Sequence, residues 1–102
     1  MTRGFADQAT ADILAGRRTK ANRQAHAVWE VARRKLQALD AARELNDLTA
    51  PPGNRLEALH GRRAGQHSIR VNDRFRLCFV WTSDGPTDVE FVDYHDEARG
   101  RR

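Results

Sequence analysis

The stretch Arg74-Phe75-Arg76-Leu77-Cys78-Phe79-Val80-Trp81 decides the fold. Its large apolar residues recur at every second position, with Phe75, Leu77, Phe79 and Trp81 on one side and Arg74, Arg76, Cys78 and Val80 on the other. Successive side chains of a strand point to opposite faces, so this alternation predicts a strand with one face in a core. On either side the chain continues in the same style. Asn72-Asp73 fits a tight hairpin turn leading back to Gln66–Asn72, where Ile69 and Val71 share a face. Ser83-Asp84-Gly85-Pro86 fits a second turn, and Thr87–Tyr94 reads as the last strand. Arg55–Leu59 reads as a strand before a turn at Gly61–Gly65.

Upstream of Pro51-Pro52-Gly53, which turns the chain, the period becomes helical. From about Ala25 to Glu44, Val28, Val31, Ala32, Leu36, Leu39 and Ala42 form one stripe, and Glu30, Arg33, Arg34 and Gln37 lie off it. Asp7 offers an N-cap to an earlier helix holding Ile13 and Leu14, which Gly16 stops. Arg17–Arg23 is polar and basic and reads as a loop, and a short first strand fits Thr2–Phe5. The expected architecture is α+β: N-terminal helices packed on one face of a C-terminal antiparallel β-sheet. If the helices cover the Phe75, Leu77, Phe79 and Trp81 face, Arg76 must emerge from the other.

Composition narrows the classes. A chain of 102 residues suits one domain with a core of modest size, and 39% hydrophobic residues can supply it. Mean hydropathy is −0.77, so the surface is strongly polar. Eighteen Lys and Arg against fourteen Asp and Glu give a net charge of +4, and only Lys20 and Lys35 among the cations are lysines. Arginine forks onto phosphate and stacks on bases, which suits an RNA partner, although a GC-rich genome also favours arginine. The single cysteine, Cys78, excludes an intrachain disulfide and a cysteine metal site. The histidines lack metal-binding spacing, so no metal or cofactor is expected. No repeat or low-complexity tract is present, and the opening residues, with Asp7 and Asp12, read neither as a signal peptide nor as a membrane span. A cytoplasmic location without a membrane partner is the expectation.

One cluster carries chemistry. Cleaving RNA without a metal needs a base for the ribose 2′-hydroxyl, cations for the phosphoryl oxygens and an acid for the departing 5′-oxygen. The C-terminal half offers His60, Arg63, Arg74, Arg76, Asp93, Tyr94 and His95. His95 is the natural proton-transfer group, and Asp93 would share its side if the strand continues and orient the imidazole. Tyr94 is placed to stack on a base or donate a proton, and Arg76 to clamp phosphate. His60, Arg63 and Arg74 are candidate phosphate contacts. Taken singly, each has a plainer reading. Asp-Tyr-His is an ordinary polar strand end, Arg76 a cross-strand partner for Glu90, His60 an incidental turn residue, and His26 and His67 surface or core-edge residues.

Longer runs change the weighing. Pro51–Leu59 with Gly61, Gly65–Asp73, Phe75–Phe79 and Val89–His95 together resemble the HigB-type toxins of the RelE/ParE superfamily. So do Val31–Ala42 and Leu45–Leu48, and the likeness runs over almost the whole chain to His95. It implies a RelE-like toxin domain over 1–95 followed by a basic extension over 96–102. It further implies a ribosome-dependent endoribonuclease that cuts mRNA in the ribosomal A site and halts translation. The implied partners are the ribosome, mRNA and a helix-turn-helix antitoxin through which operator DNA is bound. The family's active-site arginine falls on Arg76, and its acidic, tyrosine and histidine positions fall on Asp93, Tyr94 and His95. Two positions depart from the pattern: His60 stands where a lysine is common, and Glu57 where some members carry histidine. The competing readings are a non-enzymatic relative that inhibits a protein target such as gyrase, and an RNA- or ribosome-binding module that does not cut.

Overall fold

The computed structural model describes residues 1–94. Two helices, α1 (Gln8–Ala15) and α2 (Trp29–Ala41), precede four strands, β1 (Glu57–Ala58), β2 (His67–Arg70), β3 (Phe75–Thr82) and β4 (Gly85–Asp93). The strands form one antiparallel sheet in the order β1-β2-β3-β4. This is the α+β arrangement expected. The core lies between the helices and one sheet face, where Ile13, Ala32, Leu36 and Leu39 pack against Ile69, Leu77, Phe79 and Val89. Among the described residues no helix is long and apolar enough to cross a membrane.

Local chemistry explains the boundaries. The Asp7 carboxylate accepts from the Thr10 amide at 2.8 Å and starts α1. Gly16 ends it in the left-handed region, with its N–H donating to the Ile13 carbonyl at 3.0 Å. The second helix is shorter than its apolar stripe. Residues Arg23–Val28 wind as a tighter 3-10 turn instead, because Asn22 ties them to α1: its Nδ2 donates to the Ala9 and Arg17 carbonyls and its Oδ1 accepts from the Thr19 amide. The helix also stops at Ala41, since Ala42 turns extended and Glu44 and Asp47 form a capping box around the next turn. The strand expected over 55–59 shrinks to Glu57–Ala58, because Arg55 sits at φ 47, outside the extended region.

The expected first strand is likewise only a bridge, Phe5 against Val89. It still has a function in the fold. Arg3 and Ala6 donate to the Pro86 and Val89 carbonyls, Gly4 accepts from the Val89 amide, and Thr10 Oγ1 accepts from the Phe91 amide. The outer edge of β4 is thereby covered, which removes a template for unwanted strand pairing. Inside β4 the register shifts by one residue between Cys78 and Val80, and Asp88 at φ 53 takes up the extra residue as a bulge. Both hairpin turns stand where they were expected, with Asn72 Oδ1 accepting from the Arg74 and Phe75 amides in the first.

Asn54, 1% exposed, holds the connection into the sheet. Its Nδ2 donates to the Leu48 and Ala50 carbonyls, and its Oδ1 accepts from Lys35 Nζ. Burial, then the neighbouring Arg34 charge, push the Lys35 ammonium below its usual pKa. Replacing Asn54 by Ala strands two carbonyls and this ammonium, so we expect chemical denaturation to show a loss of about 2–4 kcal/mol. The Asp47 carboxyl is held below its ordinary value of 3.8 by the amides of Arg43 and Glu44. A depressed carboxylate stabilises the fold above its unfolded pKa and ceases to as pH falls through the folded value. The stability gap between wild type and Asp47→Ala should therefore be open at pH 7 and narrow below about pH 4 in urea titrations.

Candidate active site

The outer face of the sheet is ordered by register. Glu57, Ser68, Cys78 and Glu90 stand opposite one another in turn across β1 to β4, and Arg70, Arg76 and Val92 form the next row. Directly opposed residues share a face, so both rows project away from the helices. Arg76 is thus diagonal to Ser68, within a long side chain's reach. Its Nη1 donates to Ser68 Oγ at 2.6 Å and to the Arg55 carbonyl at 3.5 Å, and pairs with Glu57 Oε1 at 2.9 Å. The Tyr94 ring lies 4.9 Å from its guanidinium carbon. The strand places Arg76 where the alternation of β3 says it must be, but Glu57, not Glu90, is its ionic partner.

That arrangement has chemical content. All three polar contacts of Arg76 fall on Nη1, so among the described residues its Nε and Nη2 donors carry no hydrogen bond. A guanidinium fixed at one nitrogen and unengaged at the other two suits a phosphate, which takes arginine bidentately. The floor beside it is apolar, made of Leu59, Cys78 and Val92 with Tyr94 packed against them. The Cys78 thiol is fully buried there and is a packing group.

The other expected residues divide between positions. Arg63 reaches the same face from the β1–β2 connection, donating to Gln66 Oε1 at 3.0 Å and to Glu90 Oε1 at 3.2 Å. His60 is exposed at the head of that connection and makes no capping hydrogen bond. Asp93 stands opposite Phe75, which is a core-face position. Its Oδ2 accepts from Arg74 Nε at 2.9 Å and pairs with Arg74 Nη2 at 2.8 Å. Arg74, expected on the Arg76 side, precedes β3 and turns its guanidinium over the Phe75 ring to Asp93, so the pair stands apart from Arg76 and Tyr94 on the outer face. The expected shared side of Asp93 and His95 extends past the end of β4 at Asp93 and lies outside the described residues. His95 itself, with the basic extension over 96–102, lies outside the described residues.

The two remaining histidines keep the plain reading. His67 stacks on Phe79 at 6.3 Å, and His26 meets Trp29 edge-on at 5.6 Å.

Comparison with known proteins follows the same lines. The model of RelE-like HigB toxins of type II toxin–antitoxin systems matches residues 5–95. The chain belongs to this family. It is 50% identical over 62 residues to Toxin HigB-1 of Vibrio cholerae, a match covering 61% of this chain and 64% of that protein. It is 34% identical over 68 residues to an uncharacterized protein of Haemophilus influenzae, covering 67% of this chain and 66% of that one. Each match thus spans slightly less than two thirds of the relative.

Sequence reasoning passed over Ser68 and did not give Glu57 a place beside Arg76. The signal was available for Ser68, which alternates with Ile69 on a strand facing β3. No sequence signal placed Glu57, because the pairing of β1 depends on the irregular connection at Asn54–Arg55. The separation of faces is measurable by double-mutant cycles. Arg76→Ala and Glu57→Ala should couple by about 0.5–1 kcal/mol, since Glu57 is half exposed, whereas Arg76→Ala and Asp93→Ala should be additive.

Proposed function

We propose that the protein is an endoribonuclease that cuts mRNA on the ribosome and so inhibits translation. The observation that carries this reading is the Arg76 guanidinium, anchored through Nη1 by Ser68 and Glu57 with Nε and Nη2 unengaged and Tyr94 stacked on it. Membership of a toxin family and the net charge of +4 support it. The reaction assigned is attack of a ribose 2′-oxygen on the adjacent phosphorus, with release of the 5′-oxygen. Arg76 holds the non-bridging oxygens as negative charge grows on them. Tyr94 offers an aromatic face for a neighbouring base and keeps the guanidinium plane in place. Glu57 is the carboxylate in direct contact with Arg76, and its half-exposed side chain is free to exchange that contact for a phosphate and take the 2′-hydroxyl proton. His95 is assigned the proton for the leaving oxygen, on the family resemblance alone. Arg63 is a second cation on the same face, and His60 an outer phosphate contact.

The same reading supplies the partners. A toxin of this class is held in check by a helix-turn-helix antitoxin, through which it reaches operator DNA, and it acts in the cytoplasm where ribosomes translate. Asp93 and Arg74 contribute by fixing the end of β4, and hence the backbone from which Tyr94 springs: the Tyr94 amide donates to the Arg74 carbonyl at 2.8 Å.

Primer extension on mRNA from induced cells tests the function, and intact message in arrested cells would sink it. Discrete cuts inside translated codons are the expected result. Arg76→Ala should abolish them and the growth arrest while costing only about 1 kcal/mol of stability, because its ion pair is with a half-exposed partner. Glu57→Gln keeps an acceptor for Arg76 yet cannot take a proton, so single-turnover cleavage on programmed ribosomes should slow by about 10²–10⁴-fold.

A further inference from the structure

The carboxylate and the carbonyl that hold Arg76 stand on the least regular part of the sheet. Arg55 and Glu57 both belong to the passage into β1, and β1 is an edge strand of two residues. Its ladder is only Glu57 opposite Ser68 and Ala58 opposite His67, too short to fix a strand by itself. Leu56 packs on the core and sets the depth of this segment, but not its course along the edge.

The course is set at Asn54. Both hydrogens of its buried amide are used, Nδ2 donating to the Leu48 carbonyl at 3.2 Å and to the Ala50 carbonyl at 3.1 Å. Its Oδ1 accepts from Lys35 Nζ on α2, and its backbone N–H donates to the Pro51 carbonyl at 2.9 Å. The next residue, Arg55, stands at φ 47 with its N–H donating to the Pro52 carbonyl at 3.2 Å. A residue with a Cβ keeps that left-handed conformation only where its surroundings impose it, and such residues gather at functional sites. Here the Arg55 carbonyl accepts from Arg76 Nη1 at 3.5 Å, and Glu57, two residues on, pairs with the same nitrogen at 2.9 Å. A chain of contacts thus runs from the helical layer, round the β1 edge, to the outer face.

We propose that Asn54, with Lys35 holding its Oδ1, is a positioning residue for the Arg76 site: it sets the Arg55 carbonyl and the Glu57 carboxylate against the guanidinium. That this geometry serves RNA cleavage rests on the endoribonuclease reading above; the positioning itself does not. A buried, fully hydrogen-bonded amide specifies one arrangement of the chain around it, where an apolar side chain of similar volume would permit several. The carboxylate assigned to take the 2′-hydroxyl proton must lie within hydrogen-bond reach of it. A misplacement of about 1 Å is enough to slow such a step by about 10²-fold. No contact joins Lys35 to Arg76 among the described residues, so the effect of Lys35 on the site passes through Asn54.

Asn54→Ala also lowers stability, so the decisive variant is Lys35→Met, which removes one contact from Asn54 and leaves its two bonds to carbonyls. It should slow single-turnover cleavage on programmed ribosomes by about 10–100-fold with little change in the concentration for half-maximal rate. Lys35→Arg, which restores a donor, should recover most of that loss. In a Glu57→Gln background Lys35→Met should slow nothing further, since the proton acceptor being positioned is gone. Nuclear magnetic resonance of the free protein reads the geometry without cleavage. The Arg76 Nη signals, identified by their loss in Arg76→Ala, should be separate in wild type and merge in Lys35→Met and Asn54→Ala as the guanidinium begins to rotate. Wild-type rates and wild-type Arg76 signals in Lys35→Met overturn the proposal. So does equal slowing in both backgrounds with unchanged Arg76 signals, which would mark a general loss of stability. Altered signals with no nuclease activity in any form, wild type included, would remove the enzyme reading and leave the positioning standing.

Discussion

Everything on the outer face of the sheet depends on the burial of the other face of β3. Phe75, Leu77 and Phe79 are 6%, 0% and 0% exposed beneath the helices, and each such side chain stabilises the fold by about 1.5–3 kcal/mol. Because the side-chain period of a strand is two, a slip of one residue would carry Arg76 into the apolar core beneath the helices and expel the apolar set. An uncompensated guanidinium in that core costs far more than any contact it makes outside. The position of the one cation that organises the outer face is thus settled by hydrophobic packing on the other. The bulge at Asp88 serves the same end, resetting the register so that Val89 and Phe91, which follow it in β4, face inward.

The outer face is a problem of like charges solved locally. Arg70 and Arg76 stand directly opposite each other on β2 and β3. Each is drawn to its own carboxylate, Arg70 to Asp73 and Arg76 to Glu57, and Arg63 is drawn to Glu90. Cross-strand repulsion is relieved without removing a positive charge. The cost is that every arginine on this face arrives with an acidic companion, so an incoming phosphate competes with a carboxylate.

How much of this was legible in the sequence follows from which forces were local. Alternation along 74–81 and the stripe from Val31 to Leu39 reported hydrophobic burial, and the sheet, the helices and the side of Arg76 followed. Asp7 and Gly16 reported backbone preferences and marked α1 correctly. The α2 boundary and the length of β1 did not show, because each is set by a distant side chain: Asn22 reaching to Ala9 and Arg17, and Asn54 reaching to Leu48, Ala50 and Lys35. The site divided in the same manner. The Tyr94 ring lies against Arg76 on the outer face, whereas Asp93 pairs with Arg74, since adjacent residues on a strand point to opposite faces. Glu57 needed the pairing of a two-residue strand that no periodicity announces.

The three contacts on Arg76 Nη1 have a further meaning. Arginine carries about 2 kcal/mol of rotamer entropy when free, and most binding arginines lose it as the ligand arrives. Here Ser68, Glu57 and the Arg55 carbonyl, with the Tyr94 ring against the guanidinium, have selected the rotamer during folding. Part of the disorder that an incoming anion would otherwise have to quench is already gone before any ligand arrives. The recognition step is closer to a lock than to a hand closing, and the fold itself has met the ordering penalty.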